Sequence, residues 1–459
     1  MTVPSVTMDT ARPTSFHYRI AVFSAGGMLI DGYILGVLTI ALPLLPASFG
    51  MTPLWEGLVG SSALIGLFLG ALTLGPLADR IGRKKLYTLD LVLFLVASVA
   101  QFFLQDAVQL FLVRLVAGLA IGADYAVSPT YLAEFLPTKL RGPLLSSLAA
   151  IWRIGFLAAV VVGFLLQDAG PDAWRWILAS SAVPCAIIAA LRIGVPESPR
   201  WLVQQGRHDE AGAIVRKHIS PDATIDDIVA TTGLQQRRES RPLRTLLGRT
   251  WRGRTFFAGF FWIAQSTPQT AIFTFLPTVF LSLGVEGGGA TVLQNVFFAL
   301  GGLAGMVVIN RIGRRRLLIS TFWLMALSVT ALAVLPKPGA TIVIVCLSLY
   351  AFIEAVAGNL QFVYPSELFP TSLRGAGTGM AAALSRIGAA FGTFVFPILL
   401  SSLGIRAVMI GTVAFLVLGA LVSHRMAPET GQHGLTEEAG APGTVGSDDA
   451  ARTASPQHS

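Results

Sequence analysis

The amino-acid sequence predicts an all-α membrane protein with twelve transmembrane helices in two pseudo-symmetric six-helix bundles, and three observations predict it. Of the 459 residues, 53% are hydrophobic and only 13% charged, with a mean hydropathy of +0.68. About a quarter of an ordinary soluble chain is charged, so half the expected charge is missing. Apolar runs long enough to cross a bilayer recur from Ile20 to Val422, and landmarks of the first half return in the second. The composition excludes a soluble globular domain, a disordered chain and collagen. An excess of 33 Lys+Arg over 25 Asp+Glu, net +8, raises the question of nucleic acid. Basic residues of a membrane protein, however, gather in cytoplasmic loops, as these do, so the expected partner is the lipid bilayer and not nucleic acid. Cys185 and Cys346 sit in separate apolar runs without metal-ligand spacing, so neither a metal site nor a structural disulfide is expected.

Stretches of about twenty apolar residues, the length a span requires, fall near 19–46, 55–77, 86–104, 109–133, 143–167, 174–193, 254–282, 289–309, 316–335, 340–363, 377–402 and 405–424. The first is longer than a leader core and has no small-residue cleavage site behind it, so it reads as a retained helix. Basic residues crowd Arg80–Lys85, Lys139–Arg141, Arg192–Arg254, Arg311–Arg316 and Arg374, whereas the alternate loops Pro46–Pro53, Gln105–Asp106, Asp168–Asp172 and Val285–Gly289 carry none. The positive-inside rule then puts both termini in the cytoplasm. Five segments follow: a cytoplasmic N-terminal segment at 1–18, a first bundle at 19–193, a cytoplasmic inter-bundle loop with short amphipathic helices at 194–253, a second bundle at 254–430, and a Gly/Ala/Ser/Thr/Pro-rich tail at 431–459 that reads as disorder.

The halves repeat. DRIGRKK begins at Asp79 and NRIGRRR at Asn310, 231 positions apart; EFLPTKLRG begins at Glu134 and ELFPTSLRG at Glu367, 233 apart. WRIG at Trp152 maps onto SRIG at Ser385, and PES at Pro196 onto PET at Pro428. Four landmarks in one register across six helices are the mark of a 6+6 duplication.

A charge at mid-bilayer costs about 2.5 to 3.5 kcal/mol on insertion scales. Asp31, Asp124, Arg153, Glu354 and Arg386 all fall within about two turns of their helix midpoints. They belong to helices 1, 4, 5, 10 and 11. Helices 3, 6, 9 and 12 carry no central charge, Arg175, Arg192 and Arg406 being terminal. Facing lipid, the five would cost roughly 12 to 17 kcal/mol, as much as a domain's whole stability. They are therefore expected to face one another or water. Three carboxyls against two guanidiniums give at least one carboxyl reason to hold a proton, and a carboxyl that takes a proton on one side and loses it on the other is a coupling device. Static ion pairs holding helices together are the competing reading.

GPLADRIGRKK at Gly75, RLVAGLAIG at Arg114, the EFLPTKLRG and ELFPTSLRG pair and PESPRWL at Pro196, in this order, resemble the sugar-porter-like group of the major facilitator superfamily, over Ile20 to Thr430. The resemblance implies a central cavity lined by helices 1, 2, 4, 5, 7, 8, 10 and 11. Arg114 matches the arginine that pairs with a helix-1 aspartate for proton coupling. Here Gly32-Tyr33 is followed by Ile34 and the carboxyl is Asp31, whose partner, Arg114 or Arg153, is left open. Asp124 in IGADYAVSP resembles the helix-4 aspartate of phosphate and metabolite symporters. Asp31, Asp124 and Arg114 are the proton-coupling candidates. By this resemblance helix 7 keeps one glutamine of the sugar-binding pair, Gln265, but has Ala264 for the other and Thr270 where an asparagine is typical, and Phe362 replaces the tryptophan on which a sugar stacks.

The solute-lining candidates are Tyr33, Arg153, Gln265, Gln269, Asn295, Glu354, Asn359 and Arg386, with Gln294 and Gln361 as further polar lining. Central arginines with carboxylates suit an anionic solute better than a sugar. Asp79, Arg80, Arg83, Glu134, Arg141, Glu197, Arg200, Arg311, Arg314, Glu367 and Arg374 form the gating set, with Lys84 beside them, able to bridge the halves when the inner side closes. The expected function is proton-coupled symport of a small polar organic solute, an organic acid or related metabolite, by alternating access. Sugar or polyol symport, phosphate symport and proton-coupled efflux are the alternatives. No zinc motif, Ser/His/Asp order or nucleotide loop points to an enzyme or a cofactor. A monomer in a bacterial plasma membrane, with a small solute and protons as partners, completes the expectation.

Overall fold

The structure, a computed structural model, describes residues 11–430 except 220, 222–223, 227 and 230–241. The expected tail 431–459, most of the segment 1–18, part of the loop 194–253 and the Phe362 side chain lie outside what is described.

The first half comprises α1 (Ser15–Ala41), α2 (Pro53–Ile81), α3 (Arg83–Ala100), α4 (Ala107–Phe135), α5 (Thr138–Leu166) and α6 (Ala173–Leu191, interrupted at 180–181). The caps are local: the Thr14 N–H donates to His17 Nδ1 before α1, Thr52 precedes Pro53 at the first position of α2, and the Asp106 carboxylate accepts the Gln109 N–H at 2.7 Å before α4. The second half comprises α7 (Arg252–Thr274, resuming as Leu276–Ser282), α8 (Gly289–Ile312), α9 (Arg314–Val334) and α10 (Ala340–Gly358, resuming as Leu360–Leu368). A 56-residue helical run, Thr371–Met426, turns at Gly404 (φ 78°, ψ 167°) and so holds α11 (371–403) and α12 (405–426). Between the halves lie short helices Pro199–Gln204, His208–His218 and Pro242–Leu246.

Ten helical runs are long and apolar enough to cross a membrane. One of them contains both α11 and α12, and the polar, broken α7 is not among them, so the spans number twelve among the described residues. This is the twelve-helix architecture predicted above. One face of the bundle carries the crowded basic loops; on the opposite face the only cations among the described residues are Arg175, Lys337 and Arg406.

Glycines let helices touch backbone to backbone. A Cβ on Gly32 of α1 would stand 2.0 Å from the Trp152 carbonyl oxygen of α5, and one on Gly155 of α5 2.0 Å from that of Leu29. Gly66, Gly70, Gly118 and Gly122 do the same between α2 and α4. The halves meet on the opposite face: Gly57 of α2 abuts the Phe394 carbonyl of α11, and Thr39 of α1 donates to the Phe273 carbonyl of α7 at 3.1 Å. Gly288 meets Phe164 of α5. The molecule is therefore shut at that end.

On the basic face each half holds its own polar bracket. In the first, Arg83 meets Glu134 at 2.8 Å, Ser198 donates to Glu134 at 2.6 Å, the Lys84 N–H donates to Glu197 at 3.0 Å, and the Tyr131 hydroxyl reaches the Pro196 carbonyl. In the second, Arg314 meets Glu367 at 3.0 Å, Thr430 donates to Glu367 at 2.5 Å, the Arg314 N–H donates to Glu429 at 3.0 Å, and the Tyr364 hydroxyl reaches the Pro428 carbonyl. The turns carrying them pass through Gly82 (φ 107°) and Gly313 (φ 88°), left-handed positions that favour glycine. The sequence repeat is thus a repeat of hydrogen bonds.

Candidate functional site

A small cavity lies on the seam between the halves, lined by Arg114 of α4, Trp152 and Phe156 of α5, Gln269, Thr270, Phe273 and Thr274 of α7, Arg386 of α11 and apolar residues of α1 and α2. Its volume is about 60 Å³, whereas sites that enclose a ligand run to about 300 Å³ or more. The site is contracted, and a metabolite enters only as the halves part. Arg114 decides its character. This guanidinium is 1% exposed, donates once, to the Ile34 carbonyl at 3.2 Å, and leaves Nε and Nη1 without a partner. Arg386 enters from the other half with its guanidinium 5.3 Å from the centre of the Tyr125 ring. Among the lining residues there is no carboxylate, so two cations from opposite halves face an aromatic and amide wall.

Below the cavity, inside the first half, a second polar site is sealed in. Asp31 is 0% exposed and neither carboxyl oxygen has a hydrogen-bond partner. The charged groups around it are Asp124, Asp90 and Arg192, the Asp124 carboxyl facing it directly; Arg114 and Arg153 are not among them. Asp124 accepts from Ser128 at 2.7 Å, with Arg192 at 3.5 Å; Arg192 also stands 3.6 Å from Asp90. Helices 3 and 6 carry no central charge, but charges near their ends reach inward. Asp90 and Arg192 are near helix ends in sequence, but their side chains turn into the bundle and are 1% and 8% exposed. A Cβ on Gly27 of α1 would fall 2.4 Å from Arg192 Nη2 and 2.6 Å from Asp124 Oδ2, so only glycine leaves room for the pair.

Across the seam, Arg153 of α5 donates to the Ala355 carbonyl of α10 at 3.2 Å and lies over the Phe298 ring of α8 at 5.4 Å. It passes between Gly302 and Gly358, and Glu354 borders the same gap. These two expected lining residues are brought together, apart from the cavity of Arg114 and Arg386. Gln265 accepts from Gln361 at 3.3 Å, Asn295 donates to the Thr291 carbonyl, and Gln294 is fully buried with neither amide atom bonded.

Two expectations are corrected. Tyr33 does not face the cavity: its hydroxyl meets Ser180 of α6 at 2.9 Å and its ring joins the apolar core. Asn359 spends its amide on the Gly302, Ala355 and Val356 carbonyls, satisfying the break in α10. Of the gating set, Asp79 (3.5 Å from Arg83), Arg83, Glu134, Glu197, Arg314 and Glu367 join the brackets, each within its own half. Arg141 donates to the Leu136 carbonyl, Arg200 lies in the helix next to Glu197, Arg374 in the first turn of α11, and Arg80 and Arg311 are exposed. Trp152 and Thr274 were not anticipated; Trp152 stands beside Arg153 in the repeated WRIG, the one signal that marks it.

The family description "Sugar (and other) transporter" matches residues 14–439. Among curated proteins the chain is 37% identical over 432 residues to the inner membrane metabolite transport protein YgcS of Escherichia coli, covering 94% of this chain and 95% of the relative. It is 32% identical over 438 residues to the glucose transporter GlcP of Staphylococcus epidermidis, covering 92% and 96%. Among solved structures, a partially occluded inward-open conformation of the xylose transporter XylE from E. coli aligns with a TM-score of 0.78 at 22% identity, covering 91% of this chain and 99% of that one. The match in sequence along nearly the whole chain, on a twelve-helix fold with a polar seam, shows that the protein belongs to the sugar (and other) transporter family of the major facilitator superfamily.

Proposed function

We propose that the chain is a proton-coupled symporter that imports a small organic acid, or a related metabolite bearing a carboxylate, by alternating access. It would act as a monomer in a bacterial inner membrane with both termini in the cytoplasm. The single observation that carries the solute class is Arg114: a buried guanidinium whose Nε and Nη1 are unpartnered, lining a cavity that holds a second arginine and no acid. Removing such a cation from water is costly unless an anion or a dense hydrogen-bond set meets it. A carboxylate bridging Arg114 and Arg386 satisfies both and ties the two halves together, which makes closure depend on the solute. Arg114, which sequence comparison assigned to proton coupling, is placed here with the solute, because no aspartate reaches it. The proton is assigned to Asp31, a carboxyl sealed from water with no cation in contact and so less costly protonated than ionised, with Asp124, paired with Arg192, as the carboxylate that exchanges it. The brackets of Arg83, Glu134, Glu197 and of Arg314, Glu367 serve as the cytoplasmic gate.

A second reading, sugar or polyol symport, draws on Gln269 and the Trp152 ring in the cavity and on relatives named as glucose and D-xylose transporters. A thermal-shift screen of the purified protein against aliphatic and aromatic carboxylates, phosphate, sugars and polyols separates the two. Uptake of the best ligand into proteoliposomes under a proton gradient of either sign then separates import from efflux. Carboxylate-selective stabilisation and uphill uptake driven by an acidic outside, lost in Asp31→Asn, is the expected result. Stabilisation by sugars alone overturns the solute class, and undiminished uphill uptake by Asp31→Asn overturns the proton assignment.

A further inference from the structure

We propose that Asp31, Asp124 and Asp90 form a proton relay towards the basic face, with Arg192 as the positioning residue held between Asp124 and Asp90. This rests on the proton-coupled reading above but on different atoms from the solute cavity. Counted from the basic-face ends of α1, α4 and α3 at 1.5 Å per residue, Asp31, Asp124 and Asp90 lie about 24, 16 and 10 Å deep. Asp124 stands between the other two, its carboxyl facing those of both Asp31 and Asp90.

Four observations point to proton traffic and not to a static pair. Both oxygens of Asp31 and the Oδ2 atoms of Asp124 and Asp90 are buried without a hydrogen-bond donor, and the Asp31 and Asp90 carboxyls face that of Asp124. Arg192 stands 3.5 Å from Asp124 and 3.6 Å from Asp90, within ion-pair range of both and in close contact with neither. All three of its guanidinium nitrogens also donate to carbonyls, Nε and Nη2 to Phe23 and Nη1 to Tyr87, and Cζ lies 3.5 Å from the centre of the Tyr87 ring, a cradle that holds the head between two acids. It caps the C-terminal end of α6, two residues before Gly194 at φ 84°.

The remaining groups facing this site are neutral hydrogen-bonding side chains: Ser128 donates to Asp124, the Tyr87 hydroxyl to Ser24, and Tyr131 and the buried Cys185 close the sides. The Leu91 N–H donates to Asp90 Oδ1 at 2.6 Å. Three carboxyls face one guanidinium, so the set is neutral with two protons bound and carries one negative charge with one. In the relay, the O–H bond of Asp31 breaks as one forms on the Asp124 carboxylate, and that bond breaks in turn as one forms on Asp90, from which water on the basic face takes the proton. No electrons move; the set is then one unit more negative, and uptake of a proton by Asp31 from the opposite side restores the starting charge.

The test needs no solute. Infrared spectra of the purified full-length protein in lipid nanodiscs are recorded against pH, following the protonated-carboxyl band. Arg192→Gln removes the only cation and is expected to move the band's midpoint about one pH unit or more upward, a tenfold gain in proton affinity. Arg192→Lys, keeping the charge, is expected to restore most of the wild-type midpoint. Asp90→Asn removes a like charge and is expected to move the midpoint of the remaining band downward. Opposite signs in the two variants support the relay; an unmoved midpoint, or shifts of the same sign, overturn it. If Arg192→Gln fails to fold, the wild-type midpoint and Asp90→Asn alone decide, since an isolated Asp90 leaves the band where it was. A wrong solute class or direction leaves these spectra unchanged, so failure of the transport reading and failure of the relay are told apart.

Discussion

Arg114 has surrendered its hydration for one carbonyl hydrogen bond, and that imbalance separates a binding role from a structural one. Hydrogen bonds to charged groups contribute about 1.5 to 3 kcal/mol, so Arg114→Gln should weaken carboxylate binding roughly 10- to 150-fold. It should also leave the empty protein as stable as before or more so, because an unpaired buried charge is gone. Calorimetric titration and thermal unfolding of the same variant measure both. A large loss of stability with unchanged affinity would make Arg114 a structural residue. The same cost of a buried charge explains what could be read at this scale in advance: Asp31, Asp124, Arg153, Glu354 and Arg386 stand out because each interrupts an apolar run. Asp90 and Arg192 did not stand out, since within two turns of a helix end a charge normally faces water, and only the fold turns them inward. Tyr33 and Asn359 were misplaced for a related reason. Residue type and depth were legible, but the direction of a side chain around its helix, and a break in α10 that consumes the Asn359 amide, were not.

At the scale of the element, helix pairs are set by where a side chain is absent. No hydrophobic attraction between helices survives in lipid, so close backbone approach through small residues supplies the contact. Gly32 and Gly155 form a reciprocal seat between α1 and α5, each backbone filling the space of the other's missing Cβ. Gly32→Ala should therefore force the helices apart, and overpacking of this kind costs about 1 to 3 kcal/mol. Gly142, in the first turns of α5 with open space around it, is the control, and Gly142→Ala should be near neutral. Thermal unfolding in one detergent checks the pair; equal midpoints would show that the α1–α5 seat does not hold the first half together. The positions of all twelve helices were legible from length and hydropathy, because a bilayer fixes both. Their breaks at Phe275 and Asn359 were not, and neither was the pairing of glycine faces, which depends on rotation about the helix axis.

For the whole molecule, the repeat read from DRIGRKK, EFLPTKLRG and PES returns as two matched brackets, and each closes on its own half. What joins the halves on the opposite face is the seam where Gly57 of α2 meets the Phe394 carbonyl of α11, a Cβ there falling 2.2 Å from that oxygen. A large side chain at Gly57 cannot be accommodated with the seam shut. Gly57→Trp should therefore shift the population to conformations open on that face and stop net transport, while the solute cavity, lined on α2 by Gly60 and Leu64, three and seven residues further along, keeps both its arginines. Binding of carboxylate should survive within a few-fold and uphill uptake should fall to background. Spin labels on the opposite-face loops, one in each half, should show a longer distance than in the wild type. Two packed halves that differ between states by only a few kcal/mol are expected to respond to one wedge in this way. Retained uptake together with an unchanged label distance would mean that the seam opens elsewhere and that α2 and α11 do not form the outer gate.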